Sequence, residues 1–334
     1  MNLASRKQRG FVLAATLWML AIVAIGAAYF AERVSKAADL VLQSRKNTEV
    51  LIDLANTRAE ILFRIGTTSL SLYGLGTGPK DSIALDNRPY RGAGSSIVRL
   101  QDNRGLLNLN IVGDDRLYRF LGVLNVPAET RGRLIDTLRD YIDEDHLKRL
   151  NGAEDAEYAA QKLPPPRNEL LSTPYEARSI IGWRNLPQLW EGDRLPNLTT
   201  ISTSVALNPN TAPWEVLATL PGITNEIAQA MIARRSKEPF VNESQIAALS
   251  GGSSQQLIMQ LIPLPSDSVR VIQSAPGLPW ALQYNISLTP NSDQGPWRVD
   301  YHYKTKLPYR DDKIQEIPQL PRRTALPADL LAPF

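Results

Sequence analysis

From Phe11 to Ala31 the chain carries 21 consecutive residues without a charge, and no other segment constrains it so tightly. At ~1.5 Å rise per residue a helix of this length covers about 31 Å, the hydrocarbon thickness of a bilayer. The run exceeds the apolar core of about 7 to 15 residues in a secretory signal, although Ala24-Ile25-Gly26 and Ala31 offer small residues that imitate a cleavage site. Arg6, Lys7 and Arg9 precede the run, and Glu32 with Arg33 follows it. The excess of positive charge therefore places the N-terminus in the cytoplasm and the bulk of the chain across the membrane. No proline or glycine occurs from Ala27 to Ile65, and Leu51, Leu54, Ala55, Ile61, Leu62 and Ile65 recur at helical spacing. One helix is expected to continue from the membrane into an aqueous domain.

The remainder is long enough for two domains, or for one domain with a large insertion. Lys and Arg number 37 against 34 Asp and Glu, and the three basic residues before Gly10 account for the net charge of +3. The excess thus gives no basic face for nucleic acid. The absence of cysteine excludes disulfides, thiolate metal sites and cysteine nucleophiles. The two histidines, His146 and His302, are far apart, and no Gly-x-Ser-x-Gly, phosphate-binding loop or His-Glu-x-x-His pattern occurs, so an enzyme is not expected.

Gly66 to Gly78 ends the helical pattern with a loop. Ser96–Leu100 and Leu106–Ile111 read as short strands on either side of an Asp102-Asn103-Arg104-Gly105 turn. Helical periodicity returns from Asp115 to Ile142, broken near Asn125-Val126-Pro127, and again from Trp214 to Ile232, broken at Pro221-Gly222. The two stretches align, Asn108-Leu-Asn on Asn208-Pro-Asn and Leu124-Asn-Val-Pro on Leu220-Pro-Gly-Ile, which suggests an internal duplication. Ser268–Gln273, Trp280–Leu288 and Trp297–Lys304 then alternate in the manner of strands, with a hairpin turn at 291–295. Prolines at 308, 318, 321, 327 and 333 predict an extended or disordered tail.

Between Arg139 and Tyr158 the sequence gathers Asp140, Asp143, Glu144, Asp145, Glu154, Asp155 and Glu157. Oxygen ligands at this density suit a hard cation such as calcium, and a solvated helix end is the plain alternative. An EF-hand counted from Asp143 places Asp145 third and Glu154 twelfth, but Lys148 stands sixth where the turn needs glycine. The Leu220-Pro221-Gly222-Ile223 turn also resembles a helix-hairpin-helix, with Arg234, Arg235 and Lys237 nearby; cations at a helix C-terminus suit the dipole equally well.

Basic residues, then Gly10, then Phe11 opening a long apolar helix resemble the N-terminus of type IV prepilins and pseudopilins. Asp140-Tyr-Ile-Asp-x-Asp, Gly152-Ala-Glu-Asp-x-x-Tyr, the Asn-Leu-Asn before them and the Asn208-Pro-Asn-Thr-Ala-Pro stretch after them are similar to the general secretion pathway protein K family over most of the chain. The resemblance implies an α+β, type IV pilin-like fold: a long N-terminal helix packed on an antiparallel sheet, with a large α-helical domain inserted in the sheet region. It divides the chain into a cytoplasmic leader (1–10), the long helix (11–66, of which 11–31 is transmembrane), a β region (67–107 and 263–306), the inserted domain with two helix-hairpin-helix-like halves (108–262) and a Pro-rich tail (307–334). Prepilin peptidase would cut between Gly10 and Phe11, and calcium would bind among Asp143, Asp145, Glu154 and Asp155. Most family members carry glutamate at the fifth position after the cut; Ala15 stands there, as is usual in the K type, and implies a place at the filament tip. The implied function is that of a minor pseudopilin of type II protein secretion. It would sit in the inner membrane with its C-terminal domain periplasmic, act in pseudopilus initiation and export across the outer membrane, and partner I- and J-type minor pseudopilins and secreted substrates. A membrane-anchored helix-hairpin-helix DNA-binding protein of competence-type uptake, or a minor pilin of a type IV pilus, are the alternatives.

Overall fold

A computed structural model describes residues 9–202, 205–249, 261–307 and 316–321. Helix α1 (Arg9–Thr67) is 59 residues long, about 88 Å at ~1.5 Å per residue. The chain divides into two units, residues 1–53 and residues 54–334. In the first, the side chains of α1 from Phe11 to Phe30 are exposed without interruption, which is tenable only in lipid or against other apolar helices.

In the second unit the end of α1 buries Leu54, Thr57, Ile61 and Ile65, spaced three, four and four residues apart. The stripe differs from the expected one: Leu51 and Ala55 are exposed and Leu62 is only half-buried, while Thr57 occupies the seam. Its hydroxyl bonds Ser96 Oγ at 2.5 Å and accepts from Ala93 N at 2.8 Å, so a polar residue closes the contact between helix and sheet. A small hairpin, β1 (Leu70–Ser71) with β2 (Gly74–Leu75), follows the helix.

The main sheet has the order β3-β4-β7-β8-β9 and is antiparallel throughout: β3 (Asp86–Arg91), β4 (Ile97–Asp102), β7 (Ser268–Ser274), β8 (Trp280–Leu288) and β9 (Trp297–Lys306). Ile61 and Ile65 share a core with Val98, Leu100, Val269, Val271, Tyr284 and Ile286 from its central strands. Strand β3 falls inside the expected β region 67–107 but is not marked as a strand by its own sequence, since Asn87-Arg88-Pro89 masks its alternation. Its outer edge is bound by residues 316–321: Arg91 N donates to Pro318 O at 2.8 Å and Leu320 N to Arg91 O at 3.0 Å. Apart from those six residues and Leu307, the Pro-rich tail lies outside the described residues.

Neighbouring strands β4 and β7 are separated by 165 residues of sequence, and that excursion is the helical domain. The strand expected over Leu106–Ile111 shrinks to β5 (Leu107–Asn108), paired in parallel with β6 (Thr199–Thr200) rather than in the antiparallel sheet. Leu107 and Leu109 are buried in the helical core, which takes the chain away from the sheet immediately after Gly105. The domain contains α2 (Asp114–Val123), α3 (Ala128–Ile142), α4 (Asp155–Ala160), α5 (Pro187–Trp190), α6 (Arg194–Leu198), α7 (Trp214–Leu217), α8 (Asn225–Arg235) and α9 (Ser244–Leu249).

Two halves of this domain repeat the same polar device. Asn108 Oδ1 accepts from Asn110 N at 3.0 Å, and Asn208 Oδ1 from Asn210 N at 2.9 Å. Asn110 then clamps the backbone of Leu171, accepting at 2.9 Å and donating at 3.1 Å, and Asn210 clamps Phe240 at 2.8 and 2.9 Å. Each asparagine side chain thereby supplies an acceptor and a donor to buried backbone that no strand serves. Arg139 donates to Val112 O and Arg235 to Ala212 O, closing the second helix of each half onto the start of the first.

The seam between sheet and helical domain is held by Asp102, which is fully buried. Its Oδ1 accepts from Arg104 N at 3.0 Å, Ser266 N at 2.9 Å and Ser266 Oγ at 2.7 Å; its Oδ2 accepts from Asn208 Nδ2 and Thr211 Oγ1, both at 2.9 Å. Replacing Asp102 by alanine strands these donors away from water, and equilibrium denaturation should show a loss of about 3 kcal/mol or more. A change close to zero would remove Asp102 from this role.

Candidate functional site

The loop between α3 and α4 carries the acidic cluster, and its shape is set by Asp140 from the last turn of α3. Both carboxylate oxygens of Asp140 accept from Arg149 N at 3.2 Å, and Oδ2 also accepts from Ala153 N at 2.8 Å. Gly152 passes so close that a Cβ there would lie 1.8 Å from Asp140 Oδ2, which explains glycine before Ala153. Asp136 Oδ2 accepts from both nitrogens of Asn151 at 3.1 Å. Arg149 pairs with Asp114 at 3.2 Å, and Lys148 with Glu157 at 2.6 Å. The loop's cations are therefore directed to its flanks.

The inside of the loop is left with oxygen. Both Glu154 carboxylate oxygens, Asp143 Oδ1 and Asn168 Oδ1 are buried and have no hydrogen-bond partner. Burial, and then the charges of Asp140 and Asp143, push the Glu154 carboxyl up to about 7. Burial, with Asp145 and Asp140 beside it, raises Asp143 as well, and burial raises Asp140 despite its backbone donors. Carboxylates withdrawn from water and facing one another cost free energy unless a proton or a cation neutralises them. Among the described residues no three His, Asp or Glu side chains form a ready-made metal-ligating group. What the loop presents is unbonded oxygen in a frame already fixed by Asp140.

The structure brings two of the four expected ligands, Asp143 and Glu154, to this interior. Asp145 is exposed, with Oδ1 accepting from Leu147 N at 2.7 Å in a local turn. Asp155 is exposed at the start of α4, where a carboxylate suits the helix dipole. Sequence reasoning missed Asn168, which donates to Asp145 O at 3.2 Å and bonds His146 Nδ1 at 3.0 Å from a left-handed backbone at φ 52°. Nothing in its local pattern marks it; only the fold carries it back to the loop. The basic run after the Pro221-Gly222 turn is used inside the domain: Arg235 donates to Pro209 O at 2.8 Å, and Arg234 lies 4.6 Å over the Phe240 ring.

At the other end of the chain, Gly10, Phe11 and Ala15 lie within α1, and Phe11 and Ala15 are exposed. The 57 helical residues from Phe11 are long and apolar enough to cross a membrane. They fit a single-pass membrane anchor.

Two family profiles match the helical domain. One for type II secretion system protein K covers residues 101–187, and a second for the same protein covers residues 207–262. The first match starts beside Asp102 and the second beside Asn208, so they coincide with the two asparagine-clamped halves. No curated protein sequence matches. Among solved structures, a chain of the GspK-GspI-GspJ complex from the type 2 secretion system of enterotoxigenic Escherichia coli matches with a TM-score of 0.55 and 18% identity, covering 79% of this chain and 100% of that one. With its long helix, antiparallel sheet and inserted helical domain, the fold is pilin-like. The tandem profiles and the shared architecture support a protein K-like minor pseudopilin of the type II secretion system.

Proposed function

We propose that the chain is a minor pseudopilin of type II secretion that occupies the tip of a periplasmic pseudopilus, where it acts in initiation of the filament and in export of proteins across the outer membrane. The observation that carries the tip position is Ala15, exposed on α1 five residues after Gly10. In the family, glutamate at that place pairs with the new N-terminal amine of the neighbouring subunit, and alanine offers no carboxylate for a subunit above. The 165-residue excursion between β4 and β7 favours the same reading, since it adds bulk that stacked subunits would have to accommodate. The segment 1–10 serves as a leader removed in the cytoplasm by prepilin peptidase, leaving Phe11 first; the helix anchors the chain in the inner membrane with its C-terminal domain periplasmic. The partners are I- and J-type minor pseudopilins, supported by the complex in which the similar chain was solved, and secreted proteins are contacted at the tip.

The inward oxygens of Asp143 and Glu154 fit a calcium ion, with Asn168 able to contribute its carbonyl oxygen and Asp145 and Asp155 at the margin. Bound there, calcium would supply the positive charge that the loop's own Lys148 and Arg149 direct elsewhere.

N-terminal sequencing of membrane-extracted protein, with and without prepilin peptidase, should give Phe11 only when the peptidase is present; a mature chain beginning elsewhere would defeat the leader assignment. For the loop, Glu154 binds its proton more tightly folded, up to about 7, than unfolded, where it titrates near 4.5. In chelator, stability should therefore fall as pH rises from about 4.5 to about 7, and the Glu154→Gln variant should lose that slope. Calcium at ~100 times its Kd should restore about 2.7 kcal/mol at neutral pH. Melting midpoints indifferent to pH, chelator and calcium would return the loop to solvated surface.

A further inference from the structure

A second polar recess lies where the helical domain meets the ends of β7, β8 and β9, away from the acidic loop. It measures about 410 Å³, within the ~300–1,000 Å³ usual for small-molecule clefts. Its chemistry comes from Ser202, Asp267, Thr289, Arg298, Asp300 and Tyr301. Asp300 is largely engaged: Oδ1 accepts from Arg298 Nε at 2.8 Å, and Oδ2 from Asn285 Nδ2 at 2.8 Å and Ser287 Oγ at 2.6 Å. The hydroxyls of Tyr301 and Ser202 are buried without a partner, and Asp267 is exposed. The Tyr301 ring is held by stacking on Tyr303, centroids 5.4 Å apart at 11°.

These groups discriminate among ligand classes. A divalent cation needs several free carboxylate or carbonyl oxygens, and with Asp300 largely engaged the Asp267 carboxylate is the one side-chain acid free to serve among the described lining residues. An anion meets a net negative wall, since Arg298 is neutralised by Asp300 and Asp267 is added. An apolar ligand finds only Ile201 and Leu288. What remains is a neutral molecule rich in hydroxyls, able to donate to a carboxylate, accept from a guanidinium and from hydroxyls, and rest C–H surface on a small apolar patch. We propose that this recess binds a carbohydrate, as a free saccharide or as a segment of a longer glycan strand, with Asp267, Arg298 and the Tyr301 hydroxyl as its polar contacts.

The test is saturation-transfer NMR and calorimetry on the full chain in an amine-oxide detergent, which avoids sugar headgroups. Tri-N-acetylchitotriose and maltotriose are the probes, and cosedimentation with insoluble peptidoglycan distinguishes a glycan strand from a free sugar. Binding of either trisaccharide, weakened at least tenfold in Asp267→Asn and in Tyr301→Phe with an unchanged melting point, supports the site. Binding of the trisaccharide without cosedimentation assigns free saccharide, and both together assign the glycan strand. No binding of either probe at ~10 mM, which would largely saturate a site with a Kd of about 1 mM, or binding unaffected by both variants, overturns it. Neither result bears on leader cleavage or on assembly with other pseudopilins.

Discussion

The Asp102 carboxylate accepts hydrogen bonds from residues 104, 208, 211 and 266, so a single buried group ties the end of β4 to the start of the excursion, to its second half and to its return. An inserted domain needs its two connections held together, or its loop-closure entropy loosens the sheet it interrupts. Here the two adjacent strands are locked at the point of departure, and Asn103 extends the lock by donating to Ser268 Oγ at 2.7 Å and Asn285 Oδ1 at 2.6 Å. Arg270 reaches from β7 into the helical domain, donating to Pro196 O at 2.8 Å and to Thr199 O. Charge and amide groups, rather than apolar contact alone, join two separate hydrophobic cores. Such fully bonded polar seams fix one geometry, because an alternative docking would leave several donors buried and bare.

Much of this was legible in the residues. The uncharged run and the proline-free stretch beyond it predicted a long helix, since nothing in them could end one. The late strands Ser268–Gln273, Trp280–Leu288 and Trp297–Lys304 announced themselves by alternation, and the two-helix units by their spacing. Elements governed by distant partners were not legible. Leu106–Ile111 alternates like a strand, yet Leu107 and Leu109 are drawn into the helical core. The sequence around Asn87-Arg88-Pro89 lies in the expected β region but does not alternate, and it becomes a strand because β4 and residues 316–321 serve it on both sides. Thr57, which an apolar spacing has no means to pick out, is the buried stripe's bonded centre.

The same division applies to the acidic loop. Composition gathered the carboxylates but could not sort them, since sorting depends on which oxygens already have donors. Asp140 has donors and builds the loop; Asp143 and Glu154 lack them and face its interior; Asp145 and Asp155 face water. The resemblance that named four ligands treated these positions alike. Electrostatic strain, concentrated on Glu154, distinguishes them. Under the calcium proposal, a site strained in this way would make its frame responsive to the ion, linking a local charge to the stability of the half-domain around it.

The account stands on the chain being one subunit of a defined assembly, with its exposed apolar helix covered by equivalent helices. The most direct measurement is native mass spectrometry of the full chain extracted from membranes after coexpression with the I- and J-type pseudopilins of its own system. The account predicts a complex containing one copy of each. An I–J complex that forms while this chain is recovered alone would contradict it.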